Sequence, residues 1–298
     1  MSYTTVTNLH EGGHKRTRIT FSLDLEDNLV RHGLEPRYSA LTHKVLEFLE
    51  ESNISGTFFV VGELARQNTG LIQKISNHGH EIAYHSRSHV PLTQEIPERF
   101  RRETRSDKAF LEDITGRRIT GFRAPIWSLV PSSVWAIDIL VELGFKYSSS
   151  VLPAANPLYG FSGAPAGPFR WHNGLLELPL PLARIGPITL PLLGGIYFRY
   201  LFVSMQEFIL KRIDPSAVLW TYCHPYDFDP EQPFTIPDDL NLPMSFLLWA
   251  NRRGTFRKMR KLLNFGTAPN FESRIRCGEF DIDLPTFEPQ FADLSRKA

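Results

Sequence analysis

His85 and His89 stand four residues apart in GHEIAYHSRSH, directly after a short apolar run that reads as a strand. On a helical turn, or at a tight strand-to-loop corner, that spacing lets two imidazoles face the same point. Two neutral imidazoles are the usual beginning of a first-row metal site, with zinc the commonest occupant. A third ligand is on offer in FSLDLEDN, where Asp24, Glu26 and Asp27 crowd the end of another strand. By itself an HxxxH pair is more often two loop histidines that share nothing. Arg123 in FRAP and His224 in CHPYD, both also at strand ends, tip that balance.

The elements that must position these groups alternate. Strands are expected at RITFSLD, GTFFVV, EIAYH, ITGFRAP, FKYSSS, LLELPL and AVLWTYCH, enriched in β-branched and aromatic residues and ending in polar ones. Helical spacing appears at Leu41, Val45, Phe48 and Leu49, and at Leu71, Ile72 and Ile75 before Gly79. A long charged helix carries Phe100, Phe110, Leu111 and Ile114 and ends near Gly116; another follows Pro131 and closes at Gly144. A late helix from about Ser245 to Leu263 bears the basic run Arg252 to Lys261, read as a solvated face with no nucleic-acid role. Such alternation argues for an α/β fold, a parallel sheet under helical cover, open or closed into a barrel. In these folds functional groups collect at the carboxyl ends of strands, where Asp24, His85, His89, Arg123 and His224 all fall. The Pro-, Gly- and Ala-rich stretch from about Pro153 to Gly174 reads as a long loop, so one domain spanning 1–298 is the simpler organisation.

With 33 basic and 32 acidic side chains in 298 residues, there is no net field to attract nucleic acid. Two cysteines make no disulfide framework, and both read as small buried hydrophobes. Cys223 and His224 are strand neighbours, so only one faces a site, and His224 is the better candidate. The polar start MSYTTVTNLHEGGHKRTR lacks the apolar core of a secretory signal, which predicts a cytoplasmic protein. PITLPLLGGIYFRYLFV is broken by Pro191, Gly194, Gly195 and Arg199 and falls short of the ~20 apolar residues of a membrane span. It leaves a peripheral lipid contact open, although core packing is the ordinary meaning. Aromatic loops around Tyr159, Phe161 and Phe169 are expected at the surface, over a groove or a subunit contact; the oligomeric state is not legible.

Taken in order, these motifs resemble the polysaccharide deacetylase family, the NodB-type carbohydrate esterase family four. FSLDLEDN is similar to its Asp-bearing first motif, HSRSH to its H-[ST]-x-x-[HS] motif, FRAP to its R-x-P motif, and the strand ending in His224 to its last. The resemblance covers roughly residues 17 to 265 and leaves a C-terminal extension. It is nearest the exopolysaccharide and peptidoglycan branch, whose first motif reads D-x-E-D or D-x-D. What it implies is a distorted (β/α) barrel of about seven parallel strands that hydrolyses the acetamide of an N-acetylated sugar with one divalent metal, zinc, with Co, Mn, Ni or Fe as substitutes.

Carried over residue by residue, His85, His89 and one carboxylate would bind the metal, Asp24 would be the base, Arg123 its orienting partner and His224 the acid. In an extended strand Glu26 shares a face with Asp24, which favours it as the ligand. If the chain turns after Asp24, Asp27 swings in instead, and the loop beginning at Asn28 favours that reading. Pro125 would stiffen the chain after Arg123, and Trp127 offers a flat face to a sugar ring. The family's carboxylate-with-Trp motif is not matched by Trp171, His172 and Glu177, which read as packing and strand-edge residues; His80 reads as a structural hydrogen-bonder. The substrate would be an N-acetylated surface glycan or a nucleotide- or lipid-linked precursor of one. Rival readings are an amidohydrolase of small cyclic amides or ureides, and a non-catalytic glycan-binding relative.

Overall fold

The computed structural model describes residues 18–27, 34–156, 159–185, 188–214, 216–236 and 241–289. In the first half, β1 (Ile19–Thr20) and β2 (Ser22–Leu25) lead to α1 (Tyr38–Glu51), β3 (Thr57–Val60), α2 (Gly62–Gln67) and α3 (Thr69–Asn77). Then come β4 (Glu81–Tyr84), α4 (Pro97–Thr115), β5 (Gly121–Phe122), α5 (Trp135–Glu142) and β6 (Tyr147–Ser148). Helix α4 shows why the charged stretch is helical. Pro97 opens it where no N–H partner is needed, and Gly116, at φ 64°, closes it in the left-handed conformation.

The second half holds β7 (Phe169–Trp171), β8 (Leu176–Glu177), β9 (Leu182–Ile185), β10 (Ile188–Pro191), α6 (Gly195–Tyr200) and α7 (Val203–Leu210). It ends with β11 (Leu219–Trp220), α8 (Leu242–Trp249), α9 (Thr255–Leu263), β12 (Thr267–Ala268), α10 (Phe271–Arg276) and β13 (Thr286–Phe287). One sheet runs β13-β7-β8-β6-β5-β4-β3-β2, parallel from β8 to β2. β11 and β12 flank β1 in parallel, and a bridge from Leu23 to Cys223 continues the β11 side along β2. All seven strands expected from the sequence are therefore present, in a distorted (β/α) barrel.

Side-chain alternation sorts the core into two layers. Leu23, Leu25, Phe58, Val60, Ile82 and Phe122 belong to the larger cluster, with the helices. Phe59, Ala83, Tyr147, Leu176, Trp220 and Phe271 form a second cluster, on the inner side. Adjacent residues such as Phe58 and Phe59 fall in different layers, as period-two alternation requires. Burial on both faces explains why these strands read as continuous apolar runs.

Four local expectations are corrected. The late helix is two, α8 and α9, because Asn251 (φ 60°) and Gly254 (φ 85°) take left-handed conformations between them. The expected loop up to Gly174 contains β7. Phe161 and Phe169 are buried in an aromatic cluster with Trp171 and Phe287, and Tyr159 is half-buried. Cys277 is exposed, whereas Cys223 is buried.

At the starts of the strands, Glu81 accepts hydrogen bonds from the Thr57 hydroxyl (2.7 Å), the Tyr147 hydroxyl (2.8 Å) and the Glu272 N–H (2.9 Å). It thereby ties β3, β4, β6 and α10 together. Burial pushes its carboxyl up, against those three bonds, to about 7. A carboxyl with a raised folded pKa binds its proton more tightly when folded, so its contribution is complete below about 4.5 and is lost as pH rises toward 7. Urea unfolding should show wild type losing stability relative to Glu81→Gln across that window. A difference that stays flat with pH would mean Glu81 is ionised throughout.

Candidate active site

The strand ends converge on one set of groups. Asp24 lies in β2 and Glu26 just beyond it; His85 directly follows β4 and Arg123 directly follows β5. His224 follows the Leu23–Cys223 bridge, with the Asp24 N–H donating to the Cys223 carbonyl at 2.8 Å. Cys223 packs in the outer cluster and its thiol is pushed well up by burial, so it is His224 that turns toward the site.

Asp24 is buried and rigidly held. Arg123 Nη1 donates to its Oδ1 at 2.6 Å and to the Ser22 hydroxyl at 3.1 Å, while Nη2 donates to the Ser149 hydroxyl at 3.1 Å. The guanidinium is sandwiched between Phe59 and Trp220, 3.8 and 4.3 Å from their ring centres. A buried charge is tolerable only with such complete pairing. Asp24 Oδ2 faces His85 Nε2 at 4.0 Å.

Glu26, His85 and His89 each offer one ligand atom within 4.8 Å of the others. The Arg123 carbonyl accepts from His85 Nδ1 at 2.8 Å, which fixes the tautomer and leaves Nε2 with a free lone pair aimed at Asp24 and Glu26. Burial holds this imidazole down to about 4, with Asp24 opposing, so it is neutral near pH 7. His89 Nε2 lies against Glu26 Oε2. Burial pushes Glu26 upward, but the charges of His89 and His224 outweigh it and hold the carboxyl far below its ordinary value. Three lone pairs meeting in so small a space need a cation or protons between them, and two imidazoles with one carboxylate suit a first-row divalent ion. The donor set fits. Asp27, favoured by the turning-loop argument, is not in this cluster, because the chain keeps Glu26 on the side of Asp24; Asp27 lines a small cavity together with Glu26, Arg37, Tyr38 and Tyr226.

No helix carries the two histidines. Ser86 (φ 61°) and His89 (φ 59°) are left-handed, a conformation that costs roughly 1–2 kcal/mol at a non-glycine residue and needs outside support. Support comes from α2, whose Gly62 and Glu63 N–H groups donate to the carbonyls of Ser86 and Arg87, both at 2.9 Å. The Arg87 guanidinium is bidentate on buried Asp107, at 3.0 and 2.7 Å, beside Arg66 and the Tyr84 hydroxyl. Gly62 must lack a side chain, since a Cβ there would lie 2.5 Å from the Asp107 carboxylate.

On the far side of Glu26, His224 Nε2 stands 3.7 Å from its Oε1, and Nδ1 donates to Asp227 Oδ2 at 2.9 Å. Burial pulls His224 down, but Glu26 and Asp227 overcome it and hold the imidazole protonated, up to about 9. Sequence reasoning assigned no role to three residues here. Asp227 pairs with His224 and lies 3.1 Å from Arg199 Nε; the HPYD spacing was a signal for it. Tyr226 stacks on His224 at 4.6 Å and donates to Glu26 at 2.8 Å. Arg199 is fully buried and had no local signal.

The remaining candidates lie around this centre. Pro125 is buried, and half-buried Trp127 meets Tyr222 edge-on at 4.8 Å. Glu177 is a buried acceptor for the Ser150 and Val151 N–H groups (2.6 and 3.0 Å) and the Trp171 indole (3.1 Å), which fixes the chain beside Ser149. His80 accepts from the Gly56 N–H at 3.1 Å, a structural contact.

Known proteins resemble parts of this chain. A family profile described as polysaccharide deacetylase matches residues 26–148, and one described as a domain of unknown function (DUF3473) matches 149–274. Their boundary falls inside the eight-stranded sheet, with Arg123 and the ligand triad before it and Arg199, His224 and Asp227 after it. The Bacillus subtilis peptidoglycan-N-acetylmuramic acid deacetylase PdaA is 35% identical over 108 residues, 35% of this chain and 39% of that protein. A Bacillus cereus peptidoglycan-N-acetylglucosamine deacetylase is 28% identical over 98 residues, 33% and 36% of the two chains. The similarity thus spans well under half the length of these relatives. A crystal structure from Mycobacterium smegmatis, described as a candidate polysaccharide deacetylase, has a TM-score of 0.59 at 16% identity, covering 98% of this chain and 100% of that one. An allantoinase (Puue) has a TM-score of 0.56 at 14% identity, covering 93% and 95%. Both likenesses are of fold.

Proposed function

Residues 26–148 belong to the polysaccharide deacetylase family, and from that premise we propose that the protein is a zinc-dependent hydrolase that removes N-acetyl groups from a sugar of a surface polysaccharide or its precursor. The observation that carries this reading is the flanking of the Glu26–His85–His89 cluster by the Arg123-held Asp24 carboxyl on one side and a protonated imidazole on the other. Glu26, His85 and His89 would hold a divalent ion, which would supply Lewis-acid activation of water and of the acetyl carbonyl. Asp24, fixed by Arg123, takes the proton of the attacking water. Amide cleavage then leaves a sugar amine too basic to depart as an anion. His224, with Nδ1 bonded to Asp227, gives that nitrogen the proton on Nε2. The balance is one water consumed and one acetate and one amine released. Tyr226 and Asp227 keep the acid in place throughout.

The test is acetate release from N-acetylated oligosaccharides, both chitin-type and peptidoglycan fragments, run beside a cyclic ureide. Acetate from the glycans alone is expected. Ring opening of the ureide without glycan turnover would establish the rival amidohydrolase reading, and inactivity toward every substrate after zinc loading would leave a binding protein.

A further inference from the structure

We propose that the face built by α7 and α8 docks on an anionic phospholipid surface. Helix α8, LPMSFLLW, is apolar at every position but one, a composition that belongs in a core or against lipid. Yet Leu242, Met244 and Phe246 are exposed, and Phe246 joins an aromatic cluster with Phe234 and Trp249. Helix α7 repeats the pattern. Its buried side is Gln206, Ile209 and Leu210, while Phe202 at its N-cap, Met205 and Phe208, three residues apart, are exposed, Phe202 at 76% and Phe208 beneath the Arg212 guanidinium. Helix α6 joins the two, because it runs into α7 and its Tyr200 hydroxyl donates to the Leu247 carbonyl of α8 at 3.0 Å. An exposed apolar run of this kind marks an interaction surface.

Charge selects the occupant. Residues 241–266 hold six Lys and Arg and no Asp or Glu. Arg253, Arg257 and Lys261, at four-residue spacing, are exposed and form no ion pair among the described residues. Helix α9, which carries Arg257 and Lys261, packs against α7, and large apolar side chains beside unpaired cations are the signature of an interfacial element on anionic headgroups. A second copy of this chain fits less well, since a twofold contact would bring two such basic rows to one interface with no acid in the segment to meet them. Among the described residues no helix is long and apolar enough to cross a membrane, so the contact is with the surface. The face is also tied to the acid side of the site: Arg199, beside Asp227, donates to the α8 carbonyl of Leu248 and to that of Ala250 at 2.8 and 2.7 Å.

The experiment is co-sedimentation of the full chain with phosphatidylcholine vesicles, with and without phosphatidylglycerol. Binding about a hundredfold tighter to the anionic vesicles, weakened by salt, is expected from three unpaired cations. Phe202→Ser with Leu242→Ser should weaken partition about tenfold or more while thermal unfolding is little changed, since both side chains are largely exposed. Arg253→Glu with Arg257→Glu should remove the preference for phosphatidylglycerol. Failure to bind either vesicle, or equal binding to both, overturns the proposal. So does a lipid-free dimer in sedimentation velocity that Phe246→Ser dissociates, which would assign the face to protein contact.

Discussion

Asp24→Asn should lower kcat for acetate release by about 10²–10⁴-fold, the usual contribution of a positioned general base, with KM little changed. The substitution is near-isosteric, and the amide oxygen can still accept from Arg123 Nη1, which also bonds Ser22 and lies between Phe59 and Trp220. What is lost is the capacity to take a proton at the oxygen that faces His85 Nε2 at 4.0 Å. Stability should fall as well, because Arg123 keeps a buried charge with no anion against it, a change that costs about 3–5 kcal/mol when a buried pair is broken outright. The two effects separate in one preparation: steady-state kinetics reads the first and urea unfolding the second. A folded Asp24→Asn protein turning over within about threefold of wild type would remove Asp24 from the chemistry.

Much of this site was legible because strand ends fix positions. Once RITFSLD, EIAYH, ITGFRAP and AVLWTYCH are read as parallel strands, Asp24, His85, Arg123 and His224 must meet at one end of the sheet. The strands themselves were legible because burial on both faces leaves uninterrupted apolar runs. What stayed open was finer than an element. Glu26 and Asp27 are neighbours, and choosing between them requires knowing for how many residues the chain stays extended after β2, a matter settled by tertiary contacts such as the bond from Tyr226, 200 residues away. Arg199 is a similar case: it reaches Asp227 and the end of α8 from a segment whose pattern reads only as apolar helix. The break between α8 and α9 was missed because Asn251 and Gly254 sit inside otherwise favourable helical spacing.

The neighbouring carboxylates supply the second large expectation. Apo-protein prepared with a chelator should bind one divalent ion in a calorimetric titration, and Glu26→Gln should weaken that affinity by more than the roughly 10–100-fold typical of an outer-shell change. Asp27→Asn should leave it within about threefold, since the cluster within 4.8 Å holds Glu26 and not Asp27. The argument rests on competition for one oxygen. Glu26 Oε2 already meets His89, and Oε1 is engaged by the Tyr226 hydroxyl at 2.8 Å, so both lone-pair systems are aimed before any ion arrives. Preorganisation of that kind makes the glutamate costly to replace, because Tyr226 and His224 lose their partner in the same substitution. Activity should follow occupancy: negligible acetate release from the apo-protein, restored by stoichiometric zinc or cobalt. Equal loss of affinity in Glu26→Gln and Asp27→Asn would shift the ligand set toward the turning-loop alternative. Full turnover by rigorously metal-free protein would instead leave Asp24 and His224 to work as an acid–base pair with no ion between them.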